Sequence, residues 1–183
     1  MTDFLRDREK ALENSFFAQR DKELLSKLAQ EVKKEQLAEA SGIHEHAVLE
    51  SLLAANLDPE TIAALALVPL VATAWADQKL DEKEREALVA AIESEGIAAG
   101  SVAHDLISQW LDEAPGPDLV AAWKGYIGEL IKKLPGDAST ALRDDVLGRA
   151  KKVAQAAGGR LGVGSISRAE KKVLDDLESA FSS

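Results

Sequence analysis

The sequence predicts an all-α protein, and three observations lead there. Hydrophobic residues make up 46% of the 183-residue chain but aromatics only 4%, so Ala and Leu carry most of the apolar content and strand-forming residues are few. No Pro or Gly interrupts residues 4–40, where good helix formers dominate. An uncharged run over residues 63–76 then breaks abruptly into the acidic turn Asp77-Gln-Lys-Leu-Asp-Glu-Lys-Glu84, the pattern of a buried helix ending and an amphipathic one beginning.

Taken in order, residues 4–40 form one long helix or two collinear ones. Leu5, Leu12, Phe16, Phe17, Leu24, Leu25, Leu28, Val32 and Leu37 follow helical spacing in patches, with a charged gap at residues 20–23 and no sustained heptad. Ser41-Gly42 ends it, and residues 44–56 form a second helix with Val48, Leu49, Leu52 and Leu53 inward. Asp58-Pro59-Glu60 is a helix start: Asp58 accepts from orphan amides, proline suits the first turn, and Glu60 favours the positive end. The helix that follows, to about residue 76, is apolar on nearly every face, so it is expected at the centre of the domain, bent where Pro69 removes a backbone bond.

Asp81 begins an amphipathic helix to about residue 95, with Leu88, Val89 and Ile92 inward, positions 84, 86 and 93 in water, and Gly96 and Gly100 at its exit. Residues 101–111 form the next helix, and the loop 112–118 separates two halves of the domain. Helices over 119–134 and 138–157 are divided by Pro135-Gly136-Asp137, and a glycine-rich stretch, 158–164, leads to a last helix from Ser167 to about Phe181. Trp75, Trp110, Trp123 and Tyr126 fall at apolar helical positions and are expected to pack in the core or line a groove.

Composition narrows function. One domain of this length buries roughly 70% of its unfolded surface, so a core needs no staples. The absence of cysteine excludes disulfides, thiolate metal sites and cysteine nucleophiles. With 22 Lys and Arg against 32 Asp and Glu, the net charge of -10 repels phosphate backbones and disfavours nucleic acid as a partner. The acidity concentrates at residues 57–100, with nine acids against three bases. The first residues lack a signal-peptide core and residues 61–76 are too short to span a bilayer, which predicts a cytoplasmic protein without a transmembrane segment.

The segment Ala74-Trp75-Ala76-Asp77…Leu80…Glu84 reads A-W-A-D-x-x-(L/I/V)-x-x-x-E and resembles the signature turn of the TerB-like (tellurite-resistance-protein-like) helical family. Placing Leu80 on Ile166 superimposes residues 77–84 on residues 163–170, each unit an aliphatic residue, a capping residue and a glutamate three positions later. The resemblance implies a TerB-like bundle of two related halves over residues 57–183, about seven helices in all, with residues 1–56 as an N-terminal helical extension. It also implies a role in stress response and acidic turns that hold a divalent cation. Val163 stands where that family has aspartate, and Gln78 where it has glycine; a positive φ there costs Gln78 about 1 kcal/mol.

Two readings stand for the first turn. Asp77, Asp81 and Glu84 are candidate metal ligands for calcium or magnesium, because a helix C-terminus and hard oxygen donors suit such ions. Alternatively Asp81 and Glu84 form a D-x-x-E capping box that needs no metal, as Ser167 and Glu170 do in the second turn. The spacing is not an EF-hand, whose last ligand falls on Leu88. His44 and His46 point to different sides of a helix and read as surface residues, and His104 beside Asp105 lacks a nucleophile. The stretch 158–164 has neither phosphate-loop order, so a helix cap and loop explain it, and Arg160, Arg168, Lys171 and Lys172 form a basic rim.

Through Arg8, Glu9, Ala11, Glu13 and Phe16 the N-terminus is similar to the R-E-x-A-x-E-x-x-F start of zeta-type inhibitor subunits of bacterial ATP synthases. Phe16 and Phe17 then either pack on the domain, pair with a second copy as a homodimer, or meet another protein. Two functions are therefore expected to compete, both non-enzymatic: an acidic turn that binds a divalent cation or a basic partner, and a regulatory interaction module acting through the N-terminal helix.

Overall fold

The computed structural model describes residues 2–156 and 166–182, with side chains from residue 16 onward. Among these residues the chain forms eight α-helices, one 3-10 segment and no strand: α1 (Thr2–Ser41), α2 (His46–Ala54), the 3-10 segment (Ile62–Leu67), α3 (Val68–Ala74), α4 (Glu82–Ser94), α5 (Val102–Asp112), α6 (Asp118–Ile131), α7 (Gly136–Ala156) and α8 (Arg168–Ser179). No described helix is long and apolar enough to cross a membrane.

The uncharged run does lie at the centre, but not as one bent helix. Its first half winds as the 3-10 segment, and Pro69 opens a separate short helix in which every residue but Ala72 is buried. Proline fits a first turn because the amide it lacks has no partner there in any case, while upstream its missing donor favours the tighter winding. Helix α3 packs against α4, α6, α7, α8 and the 3-10 segment. Its one buried hydroxyl, Thr73 Oγ1, donates to the Pro69 carbonyl at 2.7 Å, so the interior holds no stranded polar group at that point.

Around this axis the outer helices are tied by a few long-range bonds. Trp75 Nε1 donates to the Trp110 carbonyl at 2.8 Å, and the Arg85 guanidinium donates to the Leu111 carbonyl, so α3 and α4 are both fastened to the end of α5. Trp110 and Trp123 are buried, with Trp75 and Tyr126 half-buried against the same core, and Trp123 meets Phe181 edge-on at 6.1 Å. Of the predicted inward residues of α4, Leu88 and Ile92 are buried but Val89 is 41% exposed, since it lies one position off the stripe they define. Gly42, at φ +69, ends α1 with its amide on the Ala38 carbonyl, and Gly96, at φ +67, ends α4.

From residue 16 onward, helix α1 joins this body only at its C-terminal end. Leu37 and Ala38 are buried in the common core, whereas residues 16–33 are exposed without exception. Pro69→Ala should lower stability by about 1 kcal/mol through lost burial of ring carbons, read as a denaturant midpoint at unchanged slope. A continuous helix bent at this residue would instead gain from the change, because a main-chain bond would be restored.

Candidate functional site

Two regions bring unusual chemistry to the surface: the acidic turn after α3, and α1 with its base. In the turn, the chain leaves the core at Ala76, Asp77 Oδ1 accepts from the Lys79 amide at 3.1 Å, and Gln78 sits at φ +67. A left-handed glutamine costs about 1 kcal/mol, which the surrounding turn sustains. Asp81 then caps α4. Its Oδ1 accepts from the Glu84 amide at 2.9 Å, and Glu84 Oε2 accepts from the Asp81 amide at 3.0 Å, closing a capping box.

Glu84, expected in water, is 5% exposed. Reaching back to the Asp81 amide draws its carboxylate under the turn instead of out from the helix. Burial first, then the charges of Asp81, Glu170 and Asp77, push its pKa up to about 7, against the opposing pull of the Asp81 amide. The second turn repeats the arrangement. Ser167 accepts from the Glu170 amide, Glu170 accepts from the Ser167 amide, and Glu170 is buried as well. The Glu170 carboxylate is among the charges that raise the Glu84 pKa, so the two turns are within electrostatic reach of each other. Leu80 and Ile166, one residue before each cap, are both half-buried.

Asp77, Asp81 and Glu84 suit a hard cation in kind, since all three offer carboxylate oxygens. Each already spends one oxygen on a backbone amide, and among the described residues no three His, Asp or Glu are gathered around a point that could hold a metal ion. The glycine-rich stretch, Arg160 and Val163 lie outside the described residues. His44 and His46 are exposed, and His104 Nδ1 lies 3.8 Å from Asp105, beyond hydrogen-bond reach.

At the base of α1 the structure reveals a cluster that the sequence reading did not single out. Lys34 Nζ, nearly enclosed, reaches Glu31 at 3.2 Å, Glu50 at 3.1 Å and His46 Nε2 at 2.9 Å. Desolvation opposes its charge, but the bonds to Glu50 and Glu31 outweigh it and raise the Lys34 pKa above the usual lysine value. Beside it Lys33 donates to Asp58 Oδ2 at 2.9 Å, while Asp58 Oδ1 accepts from the Glu60 and Thr61 amides. Burial opposes this carboxylate too, yet Lys33 and Thr61 hold its pKa below the ordinary range. The signal was present in the sequence: Lys34, Leu37, Ala38 and Ser41 share one face at i, i+3, i+4 and i+7.

Beyond that base, α1 presents Phe17, Leu24, Leu25, Leu28 and Val32 at 51–67% exposed. Phe16, 60% exposed, meets Phe17 edge-on at 6.0 Å, so neither phenylalanine packs on the body. A cavity of about 540 Å³ lies in the crook between α1 and the body, lined by Gln30, Lys33, Lys34, Glu50, Leu53 and Asp58. A second, of about 520 Å³, runs between the 3-10 segment, α6 and α7, where Arg149 at the rim is paired with Glu95. No family model, curated protein or solved structure matches this chain.

The raised pKa of Glu84 sets a pH dependence. The folded state holds a proton on Glu84 up to about pH 7, while the unfolded chain releases it near 4.5, so between these values folding binds the proton. Stability should therefore fall as pH rises through this window, by at most about 3 kcal/mol. Glu84→Gln, which keeps an oxygen for the Asp81 amide and removes the charge, should flatten that fall in denaturant titrations from about pH 5 to about pH 8. Equal slopes in the two proteins would show that Glu84 is not the group responsible.

Proposed function

We infer that this chain is a non-enzymatic protein-interaction module whose body fixes the base of α1 and whose binding element is the apolar stripe of that helix. One observation carries the reading: five large apolar side chains stay half or more exposed along a helix whose base is held by two lysine clusters and a buried leucine. Isolated exposed apolar residues are ordinary, but a contiguous patch of this kind marks an interaction surface. The charges on α1 are mixed in sign, which suits a protein partner better than an anionic surface. The similarity of residues 8–16 to inhibitor subunits is in keeping with a helix presented to a partner.

The test separates binding from folding. Leu37 belongs to the core and Glu31 to the base cluster, so a deletion must stop at about residue 30 to leave the body and that cluster intact. Leu24→Asp with Leu28→Asp should leave the far-ultraviolet circular dichroism of the body and its unfolding midpoint within about 0.5 kcal/mol of wild type, because both side chains are exposed. In affinity capture the same variant should lose whatever the wild type retains. Retention of every captured protein by the variant would remove the reading.

A second reading concerns the acidic turn, and the charge converging on Glu84 favours it. With Asp77, Asp81 and Glu170 all raising its pKa, a divalent cation or a basic partner would relieve repulsion that the turn otherwise carries. On this reading the body is TerB-like, two helical hairpins each closed by a capping box, and calcium or magnesium binding at Asp77, Asp81 and Glu84 would serve a stress response. Calcium at about a hundred times its dissociation constant should then add roughly 2.7 kcal/mol, a rise of roughly 5 to 10 °C in Tm. Asp77→Asn should abolish that shift, since Asp77 has no part in the capping box. An equal shift in Asp77→Asn, or none with calcium, magnesium or manganese, would end the metal reading.

A further inference from the structure

We propose that the stripe on α1 pairs two copies of this chain, antiparallel, about a two-fold axis between residues 25 and 26. This rests on the reading of α1 as an interaction element and names its partner.

The stripe and the docking face of α1 point in different directions. At 100° per residue, Phe17, Leu24, Leu25, Leu28 and Val32 fall within about a third of the helix circumference. Leu37, which docks α1 on the body, comes nine residues after Leu28 and so points to the opposite side. The stripe is therefore not a continuation of the docking face, and the chain's own body does not cover it.

The charges along the stripe are complementary to themselves in an antiparallel pair. One edge of the stripe carries Arg20 and Glu31, eleven residues and so three turns apart. The other edge carries Ala18 and Ala29 with Lys22 and Lys33 beyond them, again in pairs eleven apart. In an antiparallel pair each edge meets its own counterpart, and residue i faces residue 51 − i of the other copy. Arg20 then meets Glu31 twice, while Lys22 meets Ala29 and Lys33 meets Ala18, leaving no like charges opposed. Glu31 gives Oε1 to Lys34 of its own helix and keeps Oε2 for the cross-pair. A parallel pair would bring the two different edges together and set Arg20 near Lys22.

Size is adequate. Five side chains of these exposures present on the order of 500 Å² per copy, about 1,000 Å² for the pair, the lower bound of a specific interface. Asp21 falls within the stripe between Phe17 and Leu24 and is desolvated on pairing, so the dimer is weak, with a dissociation constant on the order of 10 µM.

Sedimentation velocity on the full chain, over about two decades of concentration around that value, reads the equilibrium directly. The wild type should pass from monomer to dimer. Arg20→Glu and Glu31→Arg should each weaken pairing about tenfold, and the double variant should return to near wild type, a rescue that requires residues 20 and 31 to meet across the interface. Asp21→Leu should tighten the dimer, and Leu28→Asp should abolish it. A wild type that stays monomeric, a pair of charge variants without effect, or a double variant that fails to recover overturns the proposal. So does binding to anionic vesicles without dimer formation. A monomeric chain whose Leu24→Asp, Leu28→Asp variant still loses a foreign protein in affinity capture ends the pairing and leaves the interaction reading standing.

Discussion

Burial of one seven-residue helix organises this protein. Helix α3 is little more than 10 Å long, yet α4, α6, α7, α8 and the 3-10 segment all pack on it, and six of its seven residues are shut from water. A helix apolar on all faces cannot sit at a surface, so the remaining helices must arrange themselves as a shell. The same constraint places the acidic turn. A chain leaving such a core has to reach water at once, and Asp77 does so one residue after Ala76, with Asp81 and Glu84 starting the return along α4. The acidity that draws attention in the sequence is thus first the exit chemistry of a buried helix.

Much of this was legible. The all-helical class, the central run, the Trp positions and both capping boxes follow from local rules, because capping and apolar periodicity depend on neighbours within a turn or two. Three features were not. Pro69 was read as a kink, when tertiary packing lets the chain break there and restart, with the proline spending no hydrogen bond. Glu84 was read as solvated, although the capping box that the sequence announced pulls its carboxylate beneath the backbone. Lys34 drew no expectation from the sequence, because only the placement of α2 brings Glu50 and His46 within its reach.

Lys34 also explains why α1 stands as it does. A long helix attached by one buried leucine and one alanine would pivot about that point. Two adjacent lysines that reach different parts of the body, Lys34 to α2 and Lys33 to the Asp58 turn, fix rotation as well as position. Exposed ion pairs contribute little stability, but a nearly enclosed ammonium costs more to strip of a partner, because while the helix stays docked water does not replace what is lost. Orientation of the stripe away from the body is therefore built into the base of the helix and does not depend on what the stripe later meets.

The two turns differ in a way that separates structure from any further role. Both bury a glutamate in a capping box, so helix initiation accounts for Asp81, Glu84, Ser167 and Glu170 equally. Asp77 and Gln78 are left over: the first gives one oxygen to a short turn, and the second holds a left-handed conformation that glycine would adopt freely. A residue that a helix start does not need, beside one that carries strain, and near a carboxyl whose pKa burial and then neighbouring charge push up to about 7, is where this surface departs from what folding alone requires. Substitution of Asp77 therefore probes this surface without disturbing the helix start, which substitution of Asp81 or Glu84 would break.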